Sequence, residues 1–462
     1  MRTLARIVVI LLMAAGLPLA AAADAGAGAT LPKIVVAFAN EPLASPGPAG
    51  TTGSRYGGTG YSVGQSAQRQ ARSVAATYAL REVRSWPIQV LSMHCVVYEI
   101  TSDRPLSEVV QALSRDSRVL LAQPLQEFHT LTGSPAASAA STASAASTAS
   151  TATQAAGTQA GAETSAGAPA TAGGGRASPY NDPLYDLQTN MSALGIARAH
   201  EHVQGAGVHI ALIDTGVDLT HPDLKGASLS SQSFLDHHAA AASLAHGTAM
   251  AGVIAAVANN HIGIVGIAPR AHIEVLEACW QLAPGNDAAA CNTFTLARAL
   301  AAALASGAQL VNLSIAGPAD PLLTALVQAG MKHGVTFVGA AAGPDAPFPT
   351  AIPGVITAAG TEQPLRAGAL AAPSQHVMTL RPLGEYDFES GTSIAAAEIT
   401  GVMALLESAS ASRLSTTALV SLLTGATPVQ AGTAAAVDVN AALARLDALR
   451  GGSRIAARLV AP

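Results

Sequence analysis

Residues 181–449 alternate between short apolar runs and amphipathic stretches. The apolar runs contain β-branched residues, as buried strands do, and comprise Val208–Ile213, His272–Leu276, Leu310–Ser314, Val335–Ala341 and Val355–Ala359. Apolar positions at helical spacing recur between or after these runs, at Ser192–His202, Gly247–Val257, Thr293–Ser306, Pro321–His333 and Thr392–Glu407. This alternation predicts an α/β fold with a mostly parallel sheet between helices. Ligands bind to such sheets at the carboxyl ends of the strands.

Residues 24–132 carry a different pattern, which predicts a small, separate α+β domain. Its order of elements, β-α-β-β-α-β, is that of the ferredoxin-like fold. A loop at 42–66, rich in Gly, Pro and Ser, interrupts the order. The expected elements are strand Lys33–Ala39, helix Gln70–Val83, a strand or hairpin at Val90–Ile100, helix Leu106–Ser114 and strand Val119–Leu125.

Three further segments lie outside the two predicted domains. Residues 1–23 combine an early positive charge, a short apolar run and Ala21-Ala22-Ala23, which predicts a cleaved secretory signal peptide. Residues 133–180 are almost wholly Ala, Ser, Thr and Gly, so they cannot bury enough surface to offset their ordering entropy. We therefore expect a flexible, protease-accessible linker there, and a C-terminal tail at 450–462. No later apolar run is long enough for a membrane anchor.

Composition narrows the range of partners and compartments. The formal net charge of −5 over 462 residues argues against nucleic acid or an anionic membrane as a partner. Of the three cysteines, Cys279 and Cys291 flank a turn-rich segment, and a disulfide between them is favoured over two unrelated thiols in an exported protein. Cys95 is then left over.

Three short fragments carry candidate chemistry. Asp214 follows an apolar strand and begins Asp-Thr-Gly-Val-Asp, His246 begins His-Gly-Thr-Ala-Met-Ala-Gly, and Ser393 lies in Ser-Gly-Thr-Ser-Ile-Ala. Each has an ordinary interpretation when taken alone: a turn carboxylate, a structural histidine, and a serine that caps a helix. Gly391, two residues before Ser393, permits an unusual backbone angle there.

Together, these fragments resemble the Asp, His and Ser signatures of the subtilisin-like serine proteases, in the chain order of that family. The resemblance covers most of 181–449 and implies the three-layer subtilisin-like fold. It implies that Ser393 is the nucleophile, that His246 is the general base and then the acid, and that Asp214 orients the imidazole. The fragment from Asn312 to Gly317 resembles the family's substrate-binding strand, in which Ser314, Ile315 and Ala316 would pair with an extended peptide.

The resemblance also extends, on pattern more than motif, to the N-terminal domain, which is similar to an inhibitory propeptide. An independent binding domain is the alternative. If the domain is a propeptide, Cys95 leaves with it. The chain would then be a monomeric, exported endopeptidase, secreted or periplasmic, that is made as an inactive precursor and acts on polypeptides.

Two places depart from the family pattern. Beyond Ser393, the family's usual Pro-His is replaced by Ala397-Glu398, which affects the helix more than the chemistry. The other departure concerns the oxyanion. Family members have Ala-Ala-Gly-Asn after the strand predicted at Val335–Ala341, and the Asn side chain donates to the oxyanion. Here Gly343, which the resemblance makes a fourth candidate substrate-binding residue, is followed by Pro344, which has neither a side-chain donor nor an N–H. Loss of such a donor costs about 10²–10³-fold in turnover. We therefore expect a slow enzyme, the rival hypothesis being a degenerate homologue that binds peptides without cleaving them.

No cofactor is expected. The resemblance leaves binding of a structural calcium ion open, although no dense loop of oxygen ligands stands out in the sequence. Asp236-His237-His238 lacks a spaced third ligand, so we interpret it as a solvated loop rather than a metal site. Asp218 and Asp223 are expected to be local structural carboxylates.

Overall fold

The computed structural model describes residues 31–40, 63–131, 178–236, 244–282, 288–362, 368–425 and 435–459. The predicted signal peptide, most of the loop at 42–66, the linker up to residue 177 and the turn between Cys279 and Cys291 lie outside the described residues. Tyr180, which precedes the predicted start of the second domain, packs in that domain's core.

The N-terminal domain has the predicted β-α-β-β-α-β order and a four-stranded antiparallel sheet of order β2-β3-β1-β4. Two helices cover one face of this sheet. The elements are β1 (Lys33–Ala39), α1 (Gln65–Tyr78), β2 (Leu80–Ile88), β3 (Met93–Ile100), α2 (Leu106–Ser114) and β4 (Leu121–Pro124).

The helix predicted at Gln70–Val83 is wrong at both ends. It begins at Gln65 and ends at Tyr78, and Ala79 adopts a left-handed backbone with φ of 52°. From Leu80 the chain pairs with β3. The residues of Leu80–Ile88 do not favour a strand by themselves, so the sheet partner overrides the local helix preference.

The second domain is built on an eight-stranded sheet in which every pair of neighbours is parallel, as the sequence predicts. Its order is β18-β15-β14-β13-β11-β6-β8-β7. The strands are β6 (His209–Asp214), β7 (Ser228–Ser233), β8 (His272–Glu277), β11 (Leu310–Leu313), β13 (Thr336–Ala340), β14 (Ile356–Gly360), β15 (Leu370–Ala372) and β18 (Ala435–Ala436). Strands β16 (Val377–Arg381) and β17 (Glu385–Glu389) form a separate hairpin.

Helices pack on both faces of this sheet. They are α3 (Thr189–Leu194), α4 (Ile196–Ala199), α5 (Ala245–Ala255), α6 (Thr293–Ser306), α7 (Pro321–Lys332), α8 (Thr392–Ala409), α9 (Thr416–Thr424) and α10 (Val439–Leu459). Alternate residues of β6 serve the two faces: Ile210 and Leu212 join the core under α5 and α8, and Ala211 and Ile213 join the core under α6 and α7. The single helix predicted at Ser192–His202 is broken by Gly195, which has φ of 74°.

The N-terminal sheet lies against helices of the second domain with the face that its own helices leave uncovered. Along β1, Ile34 and Val36 join the N-terminal core, whereas Val35 joins the core that contains α6 and α7. The Trp86 ring packs edge-on against Phe294 at the start of α6, with ring centroids 4.8 Å apart. Gln123 Oε1 accepts a hydrogen bond from the Leu322 N–H in the first turn of α7 at 3.1 Å. Docking therefore buries both faces of the N-terminal sheet.

A third, small sheet joins the two domains. Its order is β12-β5-β10-β9, and its pairs are antiparallel. The strands are β5 (Glu127–Thr130), β9 (Cys279–Gln281), β10 (Ala289–Asn292) and β12 (Ile315–Ala316). Cys279 and Cys291 stand opposite each other in β9 and β10 and form the predicted disulfide, and Cys95 is buried with a free thiol.

The disulfide predicts a measurable loss of stability when it is removed. Converting both Cys279 and Cys291 to Ser should lower the free energy of unfolding by about 3 kcal/mol, because the unfolded chain gains the entropy of an open loop. Thermal unfolding with and without a reductant tests this. The reductant should lower the midpoint of the wild type and leave that of the double variant unchanged; equal shifts in both would contradict the prediction.

A carboxyl group lies inside helix α8. Glu398, where the resemblance leads one to expect histidine, is fully buried and accepts a hydrogen bond from Asn190 Nδ2 at 2.8 Å. Burial penalises the ionised form and raises the pKa of Glu398 well above its usual value; the bond from Asn190 opposes this shift, and the charge of Glu362 adds to it. The folded chain therefore binds this proton more tightly than the unfolded chain does.

Stability should consequently fall as pH rises. The contribution of Glu398 is fully present below its unfolded pKa of about 4.3 and is lost as pH rises toward the higher folded pKa. Glu398→Gln should flatten this decline, because an amide does not ionise. Denaturant midpoints between pH 4 and pH 8 measure it, with exposed Glu201→Gln as the matched control. An unchanged slope in Glu398→Gln would show that this carboxyl does not contribute.

Candidate active site

Asp214 is the last residue of β6, at the carboxyl edge of the central sheet, and its side chain is fully buried. Oδ1 accepts a hydrogen bond from the Thr215 N–H at 2.7 Å. Both carboxylate oxygens also face His246 Nδ1, at 2.7 and 2.8 Å. A carboxylate can only accept, so Nδ1 carries the proton and donates it to Asp214.

His246 lies in the first turn of α5, which is held close to the segment that follows Asp214. The Gly247 N–H donates to Thr215 Oγ1 at 3.0 Å. A side chain at Gly247 would meet the Gly216 carbonyl oxygen at 1.9 Å, and Gly216 itself has φ of 91°. These contacts explain why Thr215 and Gly216 follow Asp214 and why Gly247 follows His246.

Ser393 lies in the first turn of α8 and is 1% exposed. Gly391, just before the helix, has φ of 144°, a backbone that only glycine adopts readily. Ser393 Oγ donates to the Leu131 carbonyl oxygen at 2.6 Å, and it lies 3.4 Å from the Ser314 carbonyl oxygen. The N-terminus of α8 places positive potential and backbone N–H groups around this hydroxyl. Helix α8 also packs against α5, which carries His246.

Ser314, Ile315 and Ala316 follow strand β11, and Ser314 contacts Ser393. The Ser314 hydroxyl donates to the Ser393 carbonyl at 3.2 Å and accepts from Asn312 Nδ2 at 2.8 Å. Asn312 Oδ1 accepts from Thr400 in α8 at 3.0 Å, so buried hydrogen bonds join β11 to the helix that carries Ser393. Ile315 and Ala316 form β12, which pairs with β5 of the N-terminal domain.

Strand β5 and Leu131, which the predicted elements missed, occupy the groove next to Ser393. Phe128 is fully buried and packs edge-on against Phe348, with ring centroids 5.2 Å apart. A side chain at Gly317 would approach Phe128 to 2.3 Å. The sequence offers only a weak signal, the single apolar Phe128 between polar residues, and the structure buries alternate residues along Glu127–Thr130, as expected of a strand.

Gly343 and Pro344 lie in the exposed segment after β13. The Thr392 hydroxyl donates to the Ala341 carbonyl at 2.8 Å, so a hydrogen bond ties the start of this segment to the residue before Ser393. A cavity of about 300 Å³ adjoins it and is lined by Gly343, Pro344, Pro347, Thr350, Ala351, Thr357 and Gly368.

The remaining carboxylates serve local structure. Asp218 accepts from the Thr220 and Leu383 N–H groups, at 2.9 and 2.8 Å. Burial raises the pKa of Asp223 to about 6, and this carboxylate accepts from the Ile264 N–H at 2.8 Å. Asp236 is exposed and pairs with Arg84 at 3.1 Å; the two histidines after it lie outside the described residues.

Neither a cluster of metal ligands nor a membrane-spanning helix is found in the part of the chain that the structure describes. No cluster of three or more His, Cys, Asp or Glu residues there could hold a metal ion. No helix there has the length and apolar character needed to cross a bilayer.

Comparison with known proteins points to one family. The profile of the subtilase family matches residues 205–442. Thermitase from Thermoactinomyces vulgaris is 32% identical over 243 residues, which cover 49% of this chain and 85% of the relative. The major intracellular serine protease of Bacillus subtilis (strain 168) is 28% identical over 263 residues, which cover 50% of this chain and 80% of the relative.

A solved structure matches most of the fold. Fervidolysin from Fervidobacterium pennivorans, described as a keratinolytic enzyme related to subtilisin, superposes with a TM-score of 0.62 at 19% sequence identity. The match covers 90% of this chain and 61% of that chain. At this identity the likeness concerns the fold alone.

Proposed function

The chain belongs to the subtilase family and is a serine endopeptidase, and we propose that Asp214, His246 and Ser393 are its catalytic triad. The observation that carries this proposal is the hydrogen-bonded Asp214–His246 pair, with Nδ1 2.7 Å from the carboxylate, in the same structure that places Ser393 at a helix N-terminus against a peptide carbonyl. Orientation of an imidazole by a buried carboxylate is the arrangement that activates a serine hydroxyl.

The proposed reaction gives each residue of the triad one role. With Nδ1 bound to Asp214, His246 Nε2 takes the Ser393 proton as Oγ attacks the substrate carbonyl carbon. The imidazolium then gives that proton to the departing amine, which leaves an ester between Ser393 and the acyl fragment. Water attacks the ester by the same route and releases a carboxylate. The N–H groups at the start of α8 stabilise the oxyanion that forms in each half of the reaction.

As part of this proposal, the N-terminal domain is an inhibitory propeptide. Strand β5 lies between β12 and β10 and brings a carbonyl to Ser393, so it occupies the groove in which a substrate would add a strand. Its packing on α6 and α7 adds a buried apolar interface to these hydrogen bonds. The enzyme would therefore be made as an inactive precursor that self-cleavage activates.

Export is the remaining part of the proposal. The predicted signal peptide would deliver the precursor to the periplasm or the outside, and the Cys279–Cys291 disulfide suits an oxidising compartment. Cell fractionation tests this location: mature protein found only in the cytoplasm would contradict it.

A fluorophosphonate probe separates a working enzyme from a degenerate peptide-binding homologue. The purified mature protein should be labelled covalently at Ser393, because only a hydroxyl activated by its neighbours attacks the probe. Ser393→Ala and His246→Ala should remain unlabelled at the same protein concentration. A folded wild-type protein that takes up no label would support the homologue, which the exposed Pro344 at the oxyanion position favours.

A further inference from the structure

The segment that fills the groove is held in one register up to Leu131. On one side, Thr130 and His129 stand opposite Ile315 and Ala316. On the other side, β10 pairs with Glu127, Phe128 and His129. The Leu131 N–H donates to the Ser314 carbonyl at 3.4 Å and continues this pairing by one residue. The strand is therefore bound as an extended peptide from Glu127 to Leu131.

Ser393 meets this strand at one peptide group. Oγ lies 2.6 Å from the Leu131 carbonyl oxygen. Attack on the carbon of that carbonyl cleaves the bond that follows Leu131, and the next residue in the sequence is Thr132. The backbone pairing just described fixes which carbonyl lies there, since a shift of one residue would turn every side chain to the opposite face.

The pocket that receives Phe128 adds a second constraint on this register. Phe128 lies three residues before Leu131, faces Cys291 across the β5–β10 pair and packs against the Phe348 ring. The missing side chain at Gly317 makes room for the Phe128 ring. His129, by contrast, is exposed and adds little selectivity. Phe128 is thus the aromatic side chain of this segment and is fully buried against neighbours that leave room for a ring.

We propose that the chain cleaves its own Leu131–Thr132 bond, and that the Phe128 pocket selects this bond. This inference rests on the proposed function. Ser393 Oγ forms an ester with the Leu131 carbonyl carbon, and the Thr132 nitrogen takes the proton from His246 and leaves as the new amino terminus. Water then hydrolyses the ester, giving the Leu131 carboxylate and restoring Ser393. The low-complexity tract stays attached to the mature enzyme.

Cleavage within the low-complexity tract is the competing outcome. The tract from Ser134 to Ala177 has no aromatic residue, so no ring could enter the pocket at the position that Phe128 takes. A hydrophobic pocket discriminates by about 10–200-fold for a single methylene group, so the absence of a whole ring should cost at least about tenfold. The bond after Leu131 should therefore be cut first.

The amino terminus of the matured full-length chain tests the proposal. Beyond the terminus left by removal of the predicted signal peptide, Edman sequencing and intact mass during expression should show Thr132 as the first new terminus, and Ser393→Ala should show only the precursor that carries the N-terminal domain. Phe128→Ala should slow appearance of this terminus at least about tenfold. The matched control, Leu120→Ala, changes a residue of the same domain that is 55% exposed, and it should process at the wild-type rate.

A peptide assay keeps the test independent of folding of the precursor variants. Mature enzyme should hydrolyse Glu-Phe-His-Thr-Leu-Thr after Leu, with kcat/KM at least about tenfold above that for the same peptide with Ala in place of Phe. A first terminus elsewhere, the Thr132 terminus in Ser393→Ala, or equal rates for the two peptides would overturn this inference. The proposed function fails separately, if the fluorophosphonate probe leaves the folded protein unlabelled.

Discussion

Ser393→Ala is expected to lower peptide hydrolysis by about 10⁶-fold, the order found when the equivalent serine is removed from subtilisin. The reason lies in the proposed chemistry. The acyl-enzyme can form only if the Asp214–His246 pair has a serine hydroxyl to deprotonate, and alanine supplies none. The variant also loses the hydrogen bond from Ser393 Oγ to the Leu131 carbonyl. Strand β5 should nevertheless stay in the groove of the precursor, because its pairing with β12 and β10 remains.

The measurement must not depend on self-cleavage. A recognition site for an external protease, inserted into the tract at 133–177 of both the wild type and the variant, allows the same release of the N-terminal domain from each. Initial rates on a quenched peptide then give kcat/KM. Ser390→Ala is the matched control: Ser390 lies three residues earlier and accepts from the His376 N–H at 3.0 Å, so its loss should change the rate only slightly. Retention of more than a tenth of wild-type activity in Ser393→Ala would exclude Ser393 as the nucleophile.

The catalytic fragments can be predicted from the sequence because their conformational requirements are local. Gly247 is needed for close approach to the Gly216 carbonyl, and Gly391 for a positive φ, so the letters around His246 and Ser393 carry the geometry with them. The central strands can be predicted from the sequence for a similar reason. Burial on both sides of a parallel strand selects a continuous apolar run, as at Ile210–Ile213.

The strands that could not be predicted from the sequence depend on partners far away along the chain. Strand β7, Ser228–Ser233, is mostly polar and exposed, and it is a strand because it pairs with β8 at the sheet edge. Strand β5 pairs with residues more than 150 positions further along the chain. Its four residues show the right alternation, but nothing in them indicates that their partners belong to the active-site groove. Local pattern therefore predicts the reactive residues better than it predicts what occupies the site.

Pro344→Asn is expected to raise kcat, by up to about 10²-fold, the lower end of the loss that follows removal of such a donor from subtilisin. Asparagine would place an amide N–H₂ at the position where the family carries its oxyanion donor. The hydrogen bond from Thr392 to the Ala341 carbonyl holds the start of this segment next to Ser393. Pro344 is exposed, so the new side chain has room to reach the groove. Michaelis kinetics on the released mature enzyme measure the change.

Two companion variants show what a gain in rate means. Pro344→Ala relaxes the fixed backbone angle of proline without adding a side-chain donor, so a gain shared by Ala and Asn would report backbone adjustment. Asp345→Asn offers the same amide one residue away and should leave kcat unchanged if position matters. An interaction made only in the transition state raises kcat and kcat/KM together and leaves KM near its former value. A gain in kcat confined to Pro344→Asn would therefore identify a missing oxyanion donor as the cause of slow turnover. No gain, with the fold intact, would mean that the backbone N–H groups at the start of α8 and their neighbours already supply the donors that the oxyanion needs.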